Sequence, residues 1–135
     1  LINRIQKLNA SSTPLWGKMS VDQMCEHCIA AINVAFGKQD LTISFPMRLL
    51  GRLLKNKAFN SDFGKNSQTA KEFRITSHSD FEKSQTQLIV CVQEFAKGTS
   101  VITVMYHPFW GKMSFEDWDK LMYRHLDHHL RQFGV

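Results

Sequence analysis

The sequence predicts an all-α protein. Its predicted fold is a four-helix bundle with a long crossover connection and a short N-terminal helix. Apolar residues recur at intervals of three and four along several segments, which is the period of an amphipathic helix. Serines that can cap a helix precede these segments, and glycines that can end one follow them. At 135 residues the chain is long enough to bury a core of its own. We therefore predict a single domain over residues 1–135.

The first predicted elements are a short helix over 3–9 and a longer helix over 20–36. A Ser-Ser-Thr-Pro segment interrupts the helical pattern after the short one. Ser20 with Gln23 forms a capping-box pattern, and a stripe of apolar residues at helical spacing follows it. Gly37 is a natural end for this helix.

The middle of the chain predicts a helical stretch followed by a long connection. Pro46 suits the first turn of a helix, and leucines continue the helical pattern as far as Leu54. Residues 56–78 are rich in Asn, Ser, Lys and Gly and are predicted to form a loop. A loop of this length indicates a crossover and not a simple hairpin.

Two further helices are predicted in the second half. Ser79 with Glu82 resembles another capping box, so we predict a helix over 80–97 that ends at Gly98. Residues 99–106 are rich in β-branched side chains and are predicted either as a short strand or as a continuation of the helix. The final predicted helix starts after Ser114 and runs to about residue 133.

A seven-residue motif occurs twice, at Pro14–Ser20 and at Pro108–Ser114, with six of its seven positions identical. Each copy ends in the serine that is predicted to cap a histidine-bearing helix. Proline and glycine define a turn, tryptophan and methionine can pack on the core, and serine caps. We interpret the motif as a structural device that starts two helices in equivalent ways. A binding role for Lys18 or Lys112 is the alternative.

The final helix carries the strongest chemical signal, three histidines within five residues. His125 and His129 lie one turn apart on the same face, about 6 Å apart along the axis. Two imidazoles are too few for a stable metal site. At about 100° per residue, His27 lies at the edge of the buried stripe of its helix, and we propose it as the third ligand. His128 points away from this pair and is predicted to lie either beside the metal ligands or at the surface.

Other side chains near these histidines have predicted supporting roles. Gln132, Asp127 or Glu26 can orient a ligand imidazole through a hydrogen bond. His128 and His107 are candidate acid–base helpers. Surface or hydrogen-bonded core histidines are the alternative to a metal site.

The cysteines and the charge limit the class of protein. Cys25, Cys28 and Cys91 make an odd number of thiols, which favours a reducing compartment, and we expect a cytoplasmic protein. The CxxC pair on a helix is more simply two small buried residues, and a zinc ribbon is excluded because no second CxxC exists. No apolar run is long enough for a membrane span.

The net charge of +5 arises largely from residues 48–74, which contain seven basic and two acidic residues. We interpret this stretch as a solvated basic surface, with the rim of a site for an anionic substrate as an alternative. Few aromatic residues are interleaved, and no nucleic-acid-binding motif is present, so we expect no nucleic-acid partner and no membrane partner.

Several motifs together resemble a known family. They are Trp-Gly-Lys-Met-Ser, Gln23-Met24-x-x-His27, His107-Pro108-Phe109-Trp110-Gly111 and the segment from His125 to Gly134. Their combination is similar to the DinB-like (YfiT-like) metalloenzymes, and specifically to a branch whose domain function is uncharacterised. The resemblance covers nearly the whole chain.

The resemblance implies a four-helix bundle that holds a divalent metal ion through His27, His125 and His129. It also implies an enzyme of thiol-dependent transferase or hydrolase type, acting on a small molecule and in some relatives on a low-molecular-weight thiol. Zinc suits an all-imidazole site, and nickel or iron is the alternative. A non-catalytic bundle that a metal stabilises, or that dimerises, is the competing hypothesis, and a homodimer is a candidate assembly. A basic interaction module is a third hypothesis.

Overall fold

The computed structural model describes residues 1–67 and 69–135, and the described chain is mostly helical. Its α-helices are α1 (Ile2–Ile5), α2 (Val21–Ala35), α3 (Phe45–Asn60), α4 (Phe81–Phe95) and α5 (Phe115–Gln132). Short 3-10 turns occupy Lys71–Phe73 and Gly98–Ser100. A two-residue strand β1 (Tyr106–His107) pairs antiparallel with β2 (Gly111–Lys112). None of the helices in the described part combines the length and apolar character needed to cross a membrane.

Helix α2 runs through the core and packs against α4 and α5. The predicted capping box is present, because Ser20 and Gln23 each bond the backbone of the other. The apolar stripe predicted for this helix is buried and contains Val21, Met24, Cys25, Cys28, Ile32 and Ala35. Gly37 follows the helix with a φ of +69°, a conformation that favours glycine. The helix predicted over 20–36 is therefore confirmed.

Helix α4 begins at a different residue from the one predicted. Asp80 is its N-cap, and the Asp80 carboxylate accepts a 2.9 Å hydrogen bond from the Lys83 amide. The capping box predicted for Ser79 was wrong, because the Ser79 amide donates to Asp22 Oδ2 at 2.9 Å and its hydroxyl bonds Ser84 at 2.8 Å. Contacts with Asp22 of α2 and with Ser84 of α4 thus occupy the two groups that Ser79 would use in a capping box.

Helix α3 is longer than predicted and ends at Asn60, so the connection to α4 begins at residue 61 and not at 56. Two residues in the added turns explain the extension. Lys55 Nζ lies 2.8 Å from Asp117 Oδ2 at the start of α5, and Phe59 is buried in the core. These tertiary contacts outweigh the loop-like composition of the segment.

Apart from Tyr106, which begins β1, the segment 99–106 forms neither of the two structures predicted for it. After the 3-10 turn its backbone is irregular and is bonded to the end of α2, where Thr103 N donates to Ala35 O at 3.0 Å. The Trp118 indole donates to Val104 O at 2.6 Å. The N-terminal helix is also shorter than predicted, since only Ile2–Ile5 is helical.

Both copies of the repeated motif start a helix, as predicted. Gly17 and Gly111 have φ values of +81° and +76°, and Ser20 and Ser114 both belong to capping boxes. The surroundings of the two copies differ. An added Cβ on Gly17 would lie 2.5 Å from the amide nitrogen of Gln132, whereas one on Gly111 would lie 3.2 Å from the Arg52 side chain. The first copy therefore packs on the C-terminal end of α5, beside the histidines.

Candidate metal centre

Helices α2 and α5 bring His27, His125 and His129 together, although 98 residues separate the first two. The ring centroids lie 4.9 Å apart for His27 and His125, and 4.7 Å apart for each of the other two pairs. The rings thus form a nearly equilateral triangle. One nitrogen from each ring lies within 4.8 Å of the other two. Nε2 of His27 lies 2.9 Å from Nε2 of His125.

Hydrogen bonds to oxygen set the tautomers of two of the rings. His27 Nδ1 lies 2.9 Å from the carbonyl oxygen of Phe73, and His129 Nδ1 lies 2.8 Å from Oε1 of Gln132. The Gln132 amide nitrogen donates to Trp16 O at 2.7 Å, which fixes the orientation of its amide group. Because these oxygens can only accept, each Nδ1 carries the proton and each Nε2 keeps a free lone pair. A neutral imidazole binds a metal ion through such a lone pair.

The tautomer of the third ring, His125, is not set by a hydrogen bond to an oxygen atom. Its Nδ1 is buried and has no hydrogen-bond partner among the described residues. Its Nε2 faces the lone pair of His27 Nε2. A buried nitrogen without a partner costs free energy, so it calls for an explanation. A donor set of three imidazole nitrogens, two of them with free lone pairs, fits a divalent cation such as zinc.

Burial keeps the three imidazoles neutral at pH 7. It lowers the pKa of His27 and, more strongly, that of His125. It also lowers the pKa of His129 to about 3. Repulsion between charged rings of the cluster lowers the pKa of His125 and His129 further. The rings are therefore in the charge state that metal binding requires.

The connection between α3 and α4 covers the triangle. Phe73 lies edge-on to His27, with centroids 5.8 Å apart, and Phe63 lies 6.4 Å from His125. Sequence reasoning missed both phenylalanines. The signal that could have revealed them is their apolar character within an otherwise polar loop.

Ion pairs and a cation–π contact hold this cover in place. Asp62 pairs with Arg124 at 3.1 Å and with Arg131 at 3.0 Å, two residues that flank the histidines of α5. Lys65 Nζ lies 4.4 Å from the centre of the Trp16 ring, which is a cation–π distance. Some of the basic residues thus stabilise the local structure around the histidines.

His128 adjoins the triangle without belonging to it. Its ring is buried, 5.0 Å from that of His129 and 5.8 Å from that of Trp16. Of the two positions predicted for His128, the structure shows the one beside the cluster.

His107 lies elsewhere, packed against Trp110 and Trp118. Its Nδ1 accepts hydrogen bonds from the amides of Phe109 (3.0 Å) and Trp110 (3.2 Å). This geometry makes the ring a structural acceptor in the turn. Its acid–base role stays a prediction.

Of the three residues predicted to orient a ligand, only Gln132 makes that contact in the described structure. Asp127 pairs with Arg4 at 2.7 Å, and Glu26 accepts a hydrogen bond from Ser84 at 2.7 Å. Both carboxylates therefore support the packing of helices.

The CxxC cysteines are buried core residues, in agreement with the simpler interpretation of their spacing. Burial raises the pKa of Cys25 to about 12 and that of Cys28 well above its ordinary value. Both therefore remain thiols at pH 7, and neither belongs to the histidine cluster.

The fold and the site together define a class: a mostly helical protein with a candidate three-histidine metal centre. Comparison with protein families assigns the chain to a particular one. It belongs to the family described as "Protein of unknown function (DUF1569)", whose match covers residues 1–134. No curated protein and no solved structure matches the chain.

Proposed function

We propose that this chain binds one divalent metal ion through His27, His125 and His129 and uses it in catalysis of the thiol-dependent transferase or hydrolase type. The observation that carries the proposal is the convergence of three imidazole nitrogens within 4.8 Å. The tautomers of His27 and His129 support it, because the hydrogen bond at each Nδ1 leaves Nε2 with a free lone pair.

The composition of the cluster favours a catalytic over a purely structural ion. Among the described residues, the group contains three histidines and no fourth His, Cys, Asp or Glu. Structural zinc sites usually have four protein ligands, whereas catalytic sites have three and leave a position for water or substrate. Zinc suits this donor set, and nickel or iron is the alternative. When bound, such an ion supplies Lewis-acid chemistry that lowers the pKa of a water or of a substrate thiol.

The side chains around the cluster have distinct proposed tasks. Gln132 and the Phe73 carbonyl orient two of the ligand rings. Phe63 and Phe73 limit the access of water from the side of the loop. His128 is the proposed proton carrier, because burial lowers its pKa and leaves its ring able to accept a proton at pH 7. His107 remains a second, more remote candidate for that role.

We further propose that the chain is a DinB-like (YfiT-like) protein. In this arrangement α2, α3, α4 and α5 form the four-helix bundle, and the segment between α3 and α4 is the crossover. Packing of α2 against α4 and α5, and of α3 against α5, supports it. The proposed substrate is a small molecule, with a low-molecular-weight thiol as one candidate.

A second function deserves a test because the cluster is so well covered. His27 is only 3% exposed, and the ligands come from two helices beneath the loop. An ion there would cross-link α2 and α5, so a non-catalytic ion that stabilises the bundle is the alternative. This alternative requires a strong effect of metal on unfolding and no turnover by the loaded protein.

Zinc binding to wild type and to His27→Ala, measured by isothermal titration after chelation and dialysis, tests the metal site. We expect one equivalent to bind wild type and the variant to bind at least about 100-fold more weakly, because one of three ligands is lost. His78→Ala is the matched control, since His78 is largely exposed and lies outside the cluster. Equal binding by wild type and His27→Ala would overturn the site.

Catalysis is tested separately on protein loaded with zinc. Thiol transfer to an electrophilic substrate and ester hydrolysis are assayed in wild type and in His128→Asn. Turnover that falls in the variant while zinc binding is retained supports the catalytic proposal. Full metal binding without turnover in either assay favours the stabilising ion.

A further inference from the structure

Helix α3 turns its apolar side away from the protein. Phe45, Leu49 and Leu53 are 79%, 52% and 74% exposed. At about 100° per residue, Gly51 lies about 120–160° from each of them around the helix axis, on the buried side of this helix. The full set of exposed apolar residues in α3 is Phe45, Met47, Leu49, Leu50, Leu53 and Leu54.

Apart from Phe59, which is buried in the core, α3 attaches to the rest of the protein largely through polar and close backbone contacts. Lys55 pairs with Asp117 at 2.8 Å, and Arg52 donates a hydrogen bond to the hydroxyl of Tyr106. Gly51 lets the helix approach the backbone of Phe109 so closely that an added Cβ would lie 2.2 Å from the carbonyl oxygen. This arrangement is the reverse of an ordinary surface helix, which buries its apolar stripe.

The charge of α3 indicates what kind of partner can bind to its apolar side. The helix contains Arg48, Arg52, Lys55 and Lys57 and no acidic residue. Among the described ion pairs only that of Lys55 involves this helix. A continuous apolar stripe on a basic helix is the pattern of helices that lie in the interface of a membrane.

We propose that α3 docks on an anionic lipid surface, with its leucines inserted at the boundary of the acyl chains and the exposed Arg48 and Lys57 near the lipid phosphates. At 16 residues it would lie on the membrane and not span it. This inference departs from the expectation, drawn from the sequence alone, of no membrane partner. It is independent of the metal site.

A second copy of the chain fits this surface less well. Pairing α3 with its own symmetry mate would place two basic helices side by side, with no acidic residue on either to compensate. Anionic lipid supplies both the apolar layer and the opposite charge.

Sedimentation of the 135-residue chain with vesicles tests the proposal. One set contains phosphatidylcholine mixed with phosphatidylserine, and the other contains phosphatidylcholine alone. We expect binding to the mixed vesicles, weakening as salt is raised, and little binding to phosphatidylcholine alone. In the double variant Leu49→Glu/Leu53→Glu, binding falls by at least about tenfold, because two leucines no longer leave water.

The controls distinguish insertion of α3 from non-specific binding to the vesicles. Val90→Glu changes a residue of α4 that is 55% exposed, and it leaves binding unchanged. Arg48→Gln/Lys57→Gln weakens binding and flattens its salt dependence. Circular dichroism establishes that each variant is folded, as the exposure of the changed residues leads us to expect.

Three results would overturn the proposal. The first is absence of binding to the mixed vesicles, and the second is equal binding by wild type and Leu49→Glu/Leu53→Glu. The third comes from sedimentation equilibrium: a dimer that the double variant dissociates, without vesicle binding by wild type, would assign the surface to a second copy of the chain.

Discussion

Gln132 accepts a 2.8 Å hydrogen bond from Nδ1 of His129, one helical turn before it. The same amide group donates to the carbonyl oxygen of Trp16, and the Gln132 carbonyl accepts from the amide of Leu15 at 2.7 Å. One residue therefore connects a proposed metal ligand to the first copy of the repeated motif. The turn before α2 and the last turn of α5 are held together at the cluster.

This connection predicts that two substitutions at Gln132 affect different properties, zinc affinity in one variant and stability in the other. Gln132→Leu removes the acceptor for His129, and we expect zinc affinity to fall by about 10- to 100-fold. Gln132→Glu keeps an acceptor for His129 but turns a carboxylate oxygen towards Trp16 O. It should retain most of the zinc affinity while losing stability, by about 1–3 kcal/mol. Competition with a zinc chelator and urea unfolding measure the two quantities.

Equal zinc affinities for wild type and Gln132→Leu would show that this hydrogen bond does not orient the ligand. Equal losses of affinity in the leucine and glutamate variants would attribute the effect to general disruption of the end of α5.

The three clustered histidines could be predicted from the sequence because helical spacing places side chains on a face. His125 and His129 are one turn apart, and His27 lies at the edge of a clear apolar stripe. The predicted faces then meet because α2 packs on α5.

The acceptor for His27 could not be predicted in this way. It is the backbone carbonyl of Phe73, which any residue at that position would supply. The end of α3 was missed for a related reason, since Lys55 and Phe59 are held by contacts with parts of the chain distant in sequence. Local patterns carry little information about such contacts.

Alanine substitution at the two motif glycines should distinguish the backbone role that both share from the contact that only Gly17 makes with Gln132. Gly17 and Gly111 both have positive φ, so each substitution should cost about 1–2 kcal/mol of stability from backbone strain. Gly17→Ala should additionally displace Gln132, because the new Cβ would lie 2.5 Å from its amide nitrogen. We expect zinc affinity to fall in Gly17→Ala and to stay unchanged in Gly111→Ala. A loss of affinity in both variants would contradict the distinction.

Gly51→Ala tests whether α3 requires its close approach to Phe109. Alanine ordinarily stabilises the interior of a helix relative to glycine, by about 0.5–1 kcal/mol. Here the Cβ would lie 2.2 Å from the Phe109 carbonyl oxygen and 2.8 Å from its ring, so the helix must move. We expect a net destabilisation of about 1–3 kcal/mol in urea unfolding. Gly64→Ala is the control, since its nearest contact is a serine hydroxyl at 3.1 Å. A stabilised Gly51→Ala protein would disprove the close packing.

His107 should make a defined contribution to the pH dependence of stability. Burial lowers its pKa from the ordinary 6.5 to about 4, and its Nδ1 accepts two backbone hydrogen bonds that protonation would break. The unfolded state therefore binds the proton more readily than the folded state. Stability from the neutral ring is complete above about pH 6.5 and is lost as the pH falls through the window down to about 4. The shift corresponds to about 3 kcal/mol.

His107→Asn isolates this contribution, because an asparagine oxygen can accept from the same two amides and does not titrate. Urea unfolding of both proteins, with chelator present, is measured from neutral pH down to about pH 4. The other buried histidines titrate in both proteins, so their effects cancel in the difference. We expect the stability of wild type relative to the variant to fall by up to about 3 kcal/mol over this range. A difference that does not change with pH would show that the His107 ring is not held neutral by burial.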